Sequence, residues 1–331
     1  MRRREFITIV GGTIVGGVAA AWPLAAPRAA SAQSYPSKPV RVIVPFAPAG
    51  PADVLARLLM SKLSQSLGQQ FYIENQAGAG GNLGMGAAAR ATPDGYTIAV
   101  VSTSFVVNPS LYPKIPYDPY RDFAPITLAA VSPNVLVIHP SIPANNVKEL
   151  IAFIKANPGK YSFAHSGVGT TPHLSGEMFK RSQGLDIVAV PFNGSGPAIQ
   201  STLAGHTPIG FTVLTPAVPL VKDGKLRCLA VTTPKRSVAL LDVPTLAEAG
   251  VTGQEADTIL GVIAPAHTPE PIIALLKREI SNVMKQPDVA EKLATLGFDA
   301  IVSTPDEFAA RIKIDISKWA NVIQTANIKM E

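Results

Sequence analysis

Apolar positions along the chain alternate between short unbroken runs and longer stretches spaced three and four apart, and that alternation predicts α/β architecture. Residues 40–44 form a run broken only by Arg41, the pattern of a buried strand. After a Pro/Gly-rich segment, Leu55, Leu58, Leu59, Leu63 and Leu67 mark one face of a helix from about 52 to 67, which Gly68 ends. Strands at 71–73 and 97–101 flank a small-residue helix at 82–91, a βαβ unit. A second series follows: strands at 135–138, 161–164, 187–190, 209–212 and 226–231, with helices at 147–157, 172–183, 195–204 and 217–221 between them. Pro244, Gly250 and Gly253 interrupt the pattern before an apolar run at 259–263 and helices at 271–285, 288–296 and about 305–326. Those last helices have no sheet of their own, so they return to the first domain. The expected division is 33–133 plus 258–331 for domain I and 134–257 for domain II.

Residues 1–32 read as an address: a basic start, an apolar stretch to about Trp22, and Ala30-Ser31-Ala32 as a cleavage site. Arg3-Arg4-Glu5-Phe6-Ile7 matches the twin-arginine export pattern. The apolar stretch is glycine-rich and short for a membrane span, and no cysteine lies nearby for a lipid anchor, so the expected location is a periplasm, in soluble form.

Composition narrows the function. The 331 residues are 47% hydrophobic and 16% charged, which suits a folded chain of one large or two ordinary domains. The net charge of +6 suggests a polyanion partner until its location is considered: half of it sits in the leader. The remainder is nearly balanced, without basic runs interleaved with aromatics, so nucleic acid and anionic membrane are not expected partners. A single cysteine, Cys228, in an apolar strand, removes disulfides and CxxC sites. No metal and no cofactor is expected. Gly78-Ala79-Gly80-Gly81-Asn82-Leu83-Gly84 has GxGxxxG spacing, and the following strand ends in Ser and Thr with no acid for a ribose, which argues against a dinucleotide site. Ser166 and His173 suggest a hydrolase pair, but Ser166 lies in no G-x-S-x-G elbow.

What remains is a set of loops at strand ends that open onto helices and are rich in Gly, Ser and Thr: 45–53, 102–104, 166–171 and 192–196. Each presents backbone N–H groups and hydroxyls where the helix dipole favours an anion, so several facing one cleft would hold a small carboxylate without Arg or Lys. An exported enzyme and a ligand sensor stay open as alternatives.

The same stretches carry a resemblance. Tyr35-Pro36, Lys38-Pro39-Val40-Arg41, Pro45-Phe46 with Gly50 and Asp53, Glu74-Asn75 with Gly78 to Asn82, Pro93-Asp94-Gly95-Tyr96-Thr97, Asn108-Pro109 with Leu111-Tyr112, the Gly167/Gly169/Thr170 loop with His173-Leu174, and Asp242-Val243-Pro244-Thr245 are similar to the Bug-type solute receptors. Those receptors are the substrate-binding subunits of tripartite tricarboxylate transporters, and the resemblance covers essentially the whole mature chain. It implies a two-domain periplasmic binding protein of the Venus-flytrap kind, with two hinge crossings and no catalytic step. It also implies a small organic acid ligand, a monomeric receptor, and large and small membrane permease subunits as partners. In the first strand–helix loop it points to Phe46, Ala47, Ala49, Gly50 and Asp53 as ligand-binding. In the second domain it points to Ser166, Gly167, Gly169, Thr170 and His173, then Phe192, Phe211 and Thr212. Ser102, Ser104, Asn108 and Ile259 complete the expected site. The chain departs from the family pattern at Ala49, Phe192-Asn193, Pro208 and Ile259, which predicts a more apolar cleft and a ligand with one carboxylate on an apolar body, or a longer dicarboxylate.

Overall fold

A computed structural model describes residues 35–325 and residue 328; the predicted leader lies outside the described residues. The first apolar run is β1 (Val40–Val44), and α1 (Pro51–Leu67) follows it with proline in its first turn and Gly68, at φ 67°, closing it in the left-handed conformation. Leu55, Leu59 and Leu63 are fully buried, while Leu58 and Leu67 flank the core. Next come β2 (Phe71–Asn75), α2 (Asn82–Ala89), β3 (Thr97–Ser102) and α3 (Ser104–Leu111). β1 lies between β2 and β3 and pairs parallel with both, so the unit has strand order 2-1-3. The pattern predicts no element at α3; the Val106-Val107 pair and Pro109 disfavour a helix, yet Phe105, Val106, Val107 and Leu111 are buried, and tertiary packing outweighs propensity there.

β4 (Phe123–Ile138) is the second departure, 16 residues where the pattern predicts four at 135–138. Thr127, Ser132, Pro133 and Asn134 break its apolar run, but their polar atoms are satisfied inside the protein. Thr127 Oγ1, for instance, donates to the Ser303 carbonyl at 2.8 Å, and Ser303 Oγ accepts from Leu128 N–H at 2.9 Å.

The second half contains α4 (Val147–Lys155), β5 (Ser162–His165), α5 (Thr171–Ser182), β6 (Val188–Pro191), α6 (Ser195–Leu203), β7 (Ile209–Val213), α7 (Leu214–Lys222) and β8 (Arg227–Val231). α7 begins three residues before the predicted 217–221 and ends one after it. β9 (Asp257–Pro265), α8 (Glu270–Met284), α9 (Pro287–Thr295), β10 (Asp299–Ala300) and α10 (Pro305–Thr325) close the chain.

The strand order is β2-β1-β3-β9-β4-β7-β5-β6, with β8 and β10 also on β4. β4 joins the two parts. Over Phe123–Pro133 it pairs antiparallel with β9, and from Asn134 to Ile138 it pairs with β7 and β8. β9 in turn pairs with β3, so the closing helices pack on the first sheet: Leu276 and Ile280 of α8 against the α1 side, and Phe308 and Trp319 of α10 against the other. Two further clusters, around Leu136, Phe163 and Phe211 and around Val135, Leu214 and Val231, fill the faces of the second sheet.

Candidate functional site

Loops that follow the strand ends meet in one cavity. On the first half, the loop after β1 is folded back by Asp53, which is buried: its carboxylate accepts from Ala49 N–H at 3.0 Å, from Arg57 Nε at 2.8 Å and Nη2 at 2.9 Å, and from Asn75 Nδ2 at 2.9 Å. Asn75 Nδ2 also donates to the Phe46 carbonyl. Burial pushes the Asp53 carboxyl upward, but the bonds from Arg57, Ala49 and Asn75 outweigh it and hold the group below the usual carboxylate range. Ala49 takes up the turn at φ 66° and is exposed, and Gly50 is the α1 N-cap, without a side chain to cover the helix end.

On the second half, the Ser166–Thr170 loop turns through Gly167 (φ 122°) and Gly169 (φ 81°) into α5. His165 and His173 pack beneath it with ring centroids 4.5 Å apart and planes tilted by 33°. Gly167 N–H donates to His165 Nδ1 at 3.3 Å, and Gly169 N–H to His173 Nδ1 at 3.4 Å, which places each ring proton on Nε2. Burial pushes His165 down to about 3, helped by His173, and His173 down to about 4, helped by Lys180, so both stay neutral near pH 7. Gly194 (φ 116°) starts α6 opposite Ala47; a Cβ on it would lie 3.2 Å from the Ala47 methyl.

Three helix N-termini, those of α1, α5 and α6, therefore face the cavity, and no side chain caps any of them. Their first N–H groups have no intrahelical partner, and the dipoles make the cavity electropositive. The wall adds Ser102, Ser166, Thr170, Thr171, Ser195 and Thr258 as hydroxyls, and Phe46, Ala47, Pro51, Ala52, Pro172 and Val213 as apolar surface. No Lys, Arg, Asp or Glu lines it, and among the described residues no group of three or more metal-ligating side chains occurs. The arrangement can bind a small anion through N–H and O–H donors; Ser166 has His165 beside it in sequence, but that ring's Nδ1 is occupied by Gly167 N–H.

Of the residues expected from sequence, Phe46, Ala47, Gly50, Ser102, Ser166 and Thr170 line the cavity. Ala49, Asp53, Gly167, Gly169 and His173 shape the loops behind it. Ser104 and Asn108 lie on α3 against the turn at 79–81, where Asn108 Nδ2 donates to the Gly80 carbonyl and Asn82 Oδ1. Phe192 backs the second loop, its N–H on the His165 carbonyl. Phe211 packs between Phe163 and Phe179 in the core, Thr212 is buried in β7, and Ile259 is buried against the α10 side of the first sheet. Pro51, Ala52, Thr171, Pro172, Gly194, Ser195, Val213 and Thr258 also line the cavity and are not among the expected site residues. Pro51, Ala52, Thr171, Gly194 and Ser195 belong to loops the sequence does flag, and Pro172 directly follows one. Val213 and Thr258 sit at strand ends with no loop signature.

Comparison with known proteins shows the family and the fold. The family profile described as tripartite tricarboxylate transporter family receptor matches residues 55–328. Protein BugT of Bordetella pertussis is 36% identical over 320 residues, covering 96% of this chain and 98% of its own. The periplasmic binding protein BugD superposes with TM-score 0.86 at 33% identity, covering 90% of this chain and all of its own. Two Rhodopseudomonas palustris proteins were solved with ligands. Rpa4515, with adipate, gives TM-score 0.87 at 34% identity over 89% of this chain and 99% of its own. MatC, with malate, gives 0.82 at 34% identity over 87% of this chain and all of its own.

Proposed function

The chain belongs to the tripartite tricarboxylate transporter receptor family and has the two-domain fold of periplasmic solute-binding proteins, and from that premise we propose that it captures a small organic acid in the cavity between its halves and hands it to a membrane permease of one large and one small subunit. The observation that carries the reading is the convergence of three uncapped helix N-termini and six hydroxyls on a cavity without a charged side chain. Such a site neutralises a carboxylate with fixed dipoles, and it holds no arranged nucleophile and base. The lobes are residues 35–133 with 258–325, and 134–257. The hinge is the pair of strands β4 and β9, where β4 changes partners at Pro133/Asn134 and the chain returns at Asp257. Closure follows from ligand contacts with both lobes that the open form lacks. The ligand's body lies against Phe46, Ala47, Pro172 and Val213. The protein works in the periplasm and returns its ligand unchanged; no helix among the described residues is long and apolar enough to cross a membrane.

A thermal-shift and calorimetry screen of residues 33–331, unfolded and refolded beforehand to strip carried-over ligand, tests this against mono-, di- and tricarboxylates, aromatic acids and amino acids. A hit at a hundredfold excess over its Kd should stabilise by about 2.7 kcal/mol and be recovered intact after overnight incubation. Absence of any stabilising acid, or chemical conversion of the hit, refutes the reading.

A further inference from the structure

A carboxylate explains the N–H groups of the cavity but not the way its hydroxyls are oriented. A hydroxyl has one proton to give, so a chain of hydroxyls with a fixed end has a fixed direction. Thr258 Oγ1 lies 3.0 Å from Asn134 Oδ1 and donates to it. The amide is held in that sense because its Nδ2 faces the Ala256 carbonyl at 3.5 Å; turned over, it would set oxygen against oxygen. Thr171 Oγ1 is hydrogen-bonded to Thr258 Oγ1, whose proton is already committed, so Thr171 is the donor. Thr171 then shows the cavity only the lone pairs of its oxygen. Being the first residue of α5, it also offers a backbone N–H that no intrahelical carbonyl takes.

The neighbouring loop repeats the arrangement. Ser166 Oγ donates to Thr170 Oγ1 at 3.2 Å, and Thr170 Oγ1 donates to the Gly167 carbonyl at 2.7 Å. Both residues line the cavity, with their protons turned away from it. At this end the wall therefore combines N–H donors, which suit a carboxylate, with hydroxyl lone pairs, which repel one. The group that satisfies both is a carboxylate with a hydrogen-bond donor on the adjacent carbon. A hydroxyl and an ammonium both qualify as donors. The cavity favours the hydroxyl, because three helix N-termini face it and no acidic side chain lines it to balance a cation.

We propose that Thr171 is a specificity-determining residue that accepts a hydrogen bond from a hydroxyl next to the ligand's carboxylate, with Thr258 and Asn134 as positioning residues that set its direction. The proposal rests on the organic-acid reading of the cavity and adds the 2-hydroxy acid as its ligand class. It holds whatever the length or polarity of the rest of the ligand.

The test is calorimetric titration with matched acids that differ only at the carbon next to the carboxylate: malate, aspartate and succinate; 2-hydroxyadipate, 2-aminoadipate and adipate; mandelate, phenylglycine and phenylacetate. In the set that binds best, the 2-hydroxy acid should bind about tenfold tighter than its unsubstituted partner, the worth of one well-made hydrogen bond. Thr171→Val should bring that ratio to about one, and Thr171→Ser should keep it. Thr258→Val frees the Thr171 proton, so the ratio should narrow through tighter binding of the unsubstituted acid, a change that loss of packing would not produce. Should Thr171→Val fail to fold, the wild-type ratio and Thr258→Val decide alone. Equal binding of the hydroxy and unsubstituted acids overturns the proposal and leaves the organic-acid reading standing. So does a ratio that survives Thr171→Val, or a 2-amino acid that binds as tightly as its 2-hydroxy partner. Binding of none of the nine also overturns the proposal, and the organic-acid reading then stands or falls with the wider screen.

Discussion

Closure of the lobes can be perturbed without touching the ligand, at Gly80. This residue lies in the short turn at 79–81 with φ 63°, and a Cβ on it would stand 2.7 Å from Tyr112 Oη and 2.8 Å from the Val168 carbonyl oxygen. Tyr112 belongs to the same lobe, so that contact and the left-handed backbone burden an alanine whether the lobes are open or closed. The left-handed conformation alone costs about 1–2 kcal/mol of stability. In the proposed division of lobes, Val168 belongs to the Ser166–Thr170 loop of the other lobe, so the contact with its carbonyl lies across the seam that closure brings together. Overpacking of this kind costs about 1–3 kcal/mol, which in Gly80→Ala falls on the closed state and weakens ligand binding about 5- to 150-fold. Gly86→Ala is the control, because its Cβ would meet Pro116 Cγ at 2.8 Å wholly inside the first lobe. It should alter stability and leave affinity alone. The assay pairs calorimetric titration of the acid identified in the screen with urea unfolding of the ligand-free protein. Gly80→Ala binding within twofold of wild type, with its urea midpoint lowered, would mean that this seam takes no part in closure and would refute the reasoning.

Two predictions concern pH. His165 and His173 are held neutral down to about 3 and about 4, whereas histidines of the unfolded chain titrate near 6.5, so the unfolded state binds more protons as the pH falls. Stability should be full above about pH 6.5 and decline below it by up to about 1.4 kcal/mol per pH unit for each ring. Urea midpoints from pH 7 to 5 measure this, the His165→Asn/His173→Asn double variant should flatten the slope, and a wild-type midpoint constant over that range would contradict it. Asp53 has the opposite sign. Its carboxyl lies below the usual range, so its contribution is present above the unfolded pKa near 3.9 and is lost as the pH falls through the lower folded value. Asp53→Asn should cost about 1.5–3 kcal/mol at pH 7 by weakening the charge-assisted bonds to Arg57 and Ala49, with a deficit that shrinks on acidification toward pH 2. A deficit independent of pH would show that the charge contributes nothing.

The parts of the fold legible in the sequence are those whose burial leaves an unbroken local pattern. The leucines of α1 mark one buried helix face, β1, β5 and β7 are short, mostly apolar runs buried on both faces, and the pattern finds them. It misses β4 and α3 for related reasons. β4 is buried along nearly all its length, so it needs no alternation, and its polar residues are satisfied by partners such as Ser303, far away in sequence. α3 is helical because its apolar side chains have a core to enter, against the preference of Val106, Val107 and Pro109.

The site divides along the same line. A glycine- or serine-rich loop before a helix is a local feature, and this is why Phe46, Gly50, Ser102, Ser166 and Thr170 could be placed from sequence. The resemblance points to Phe211 and Ile259 at strand positions near the cleft, but a strand sends alternate side chains to opposite faces, and both of these enter the core. Thr258 and Asn134 carry no local sign at all. They are 124 positions apart, and each has meaning only because β4 and β9 run side by side where the chain crosses between lobes. That placement gives the cavity a property that composition does not. Six hydroxyls could have served as interchangeable donors, but the amide of Asn134 gives the Thr171–Thr258 chain a direction, and Thr171 becomes an acceptor as a result. The anion-binding character of the site is thus encoded in loops, and its selectivity among anions in the hinge.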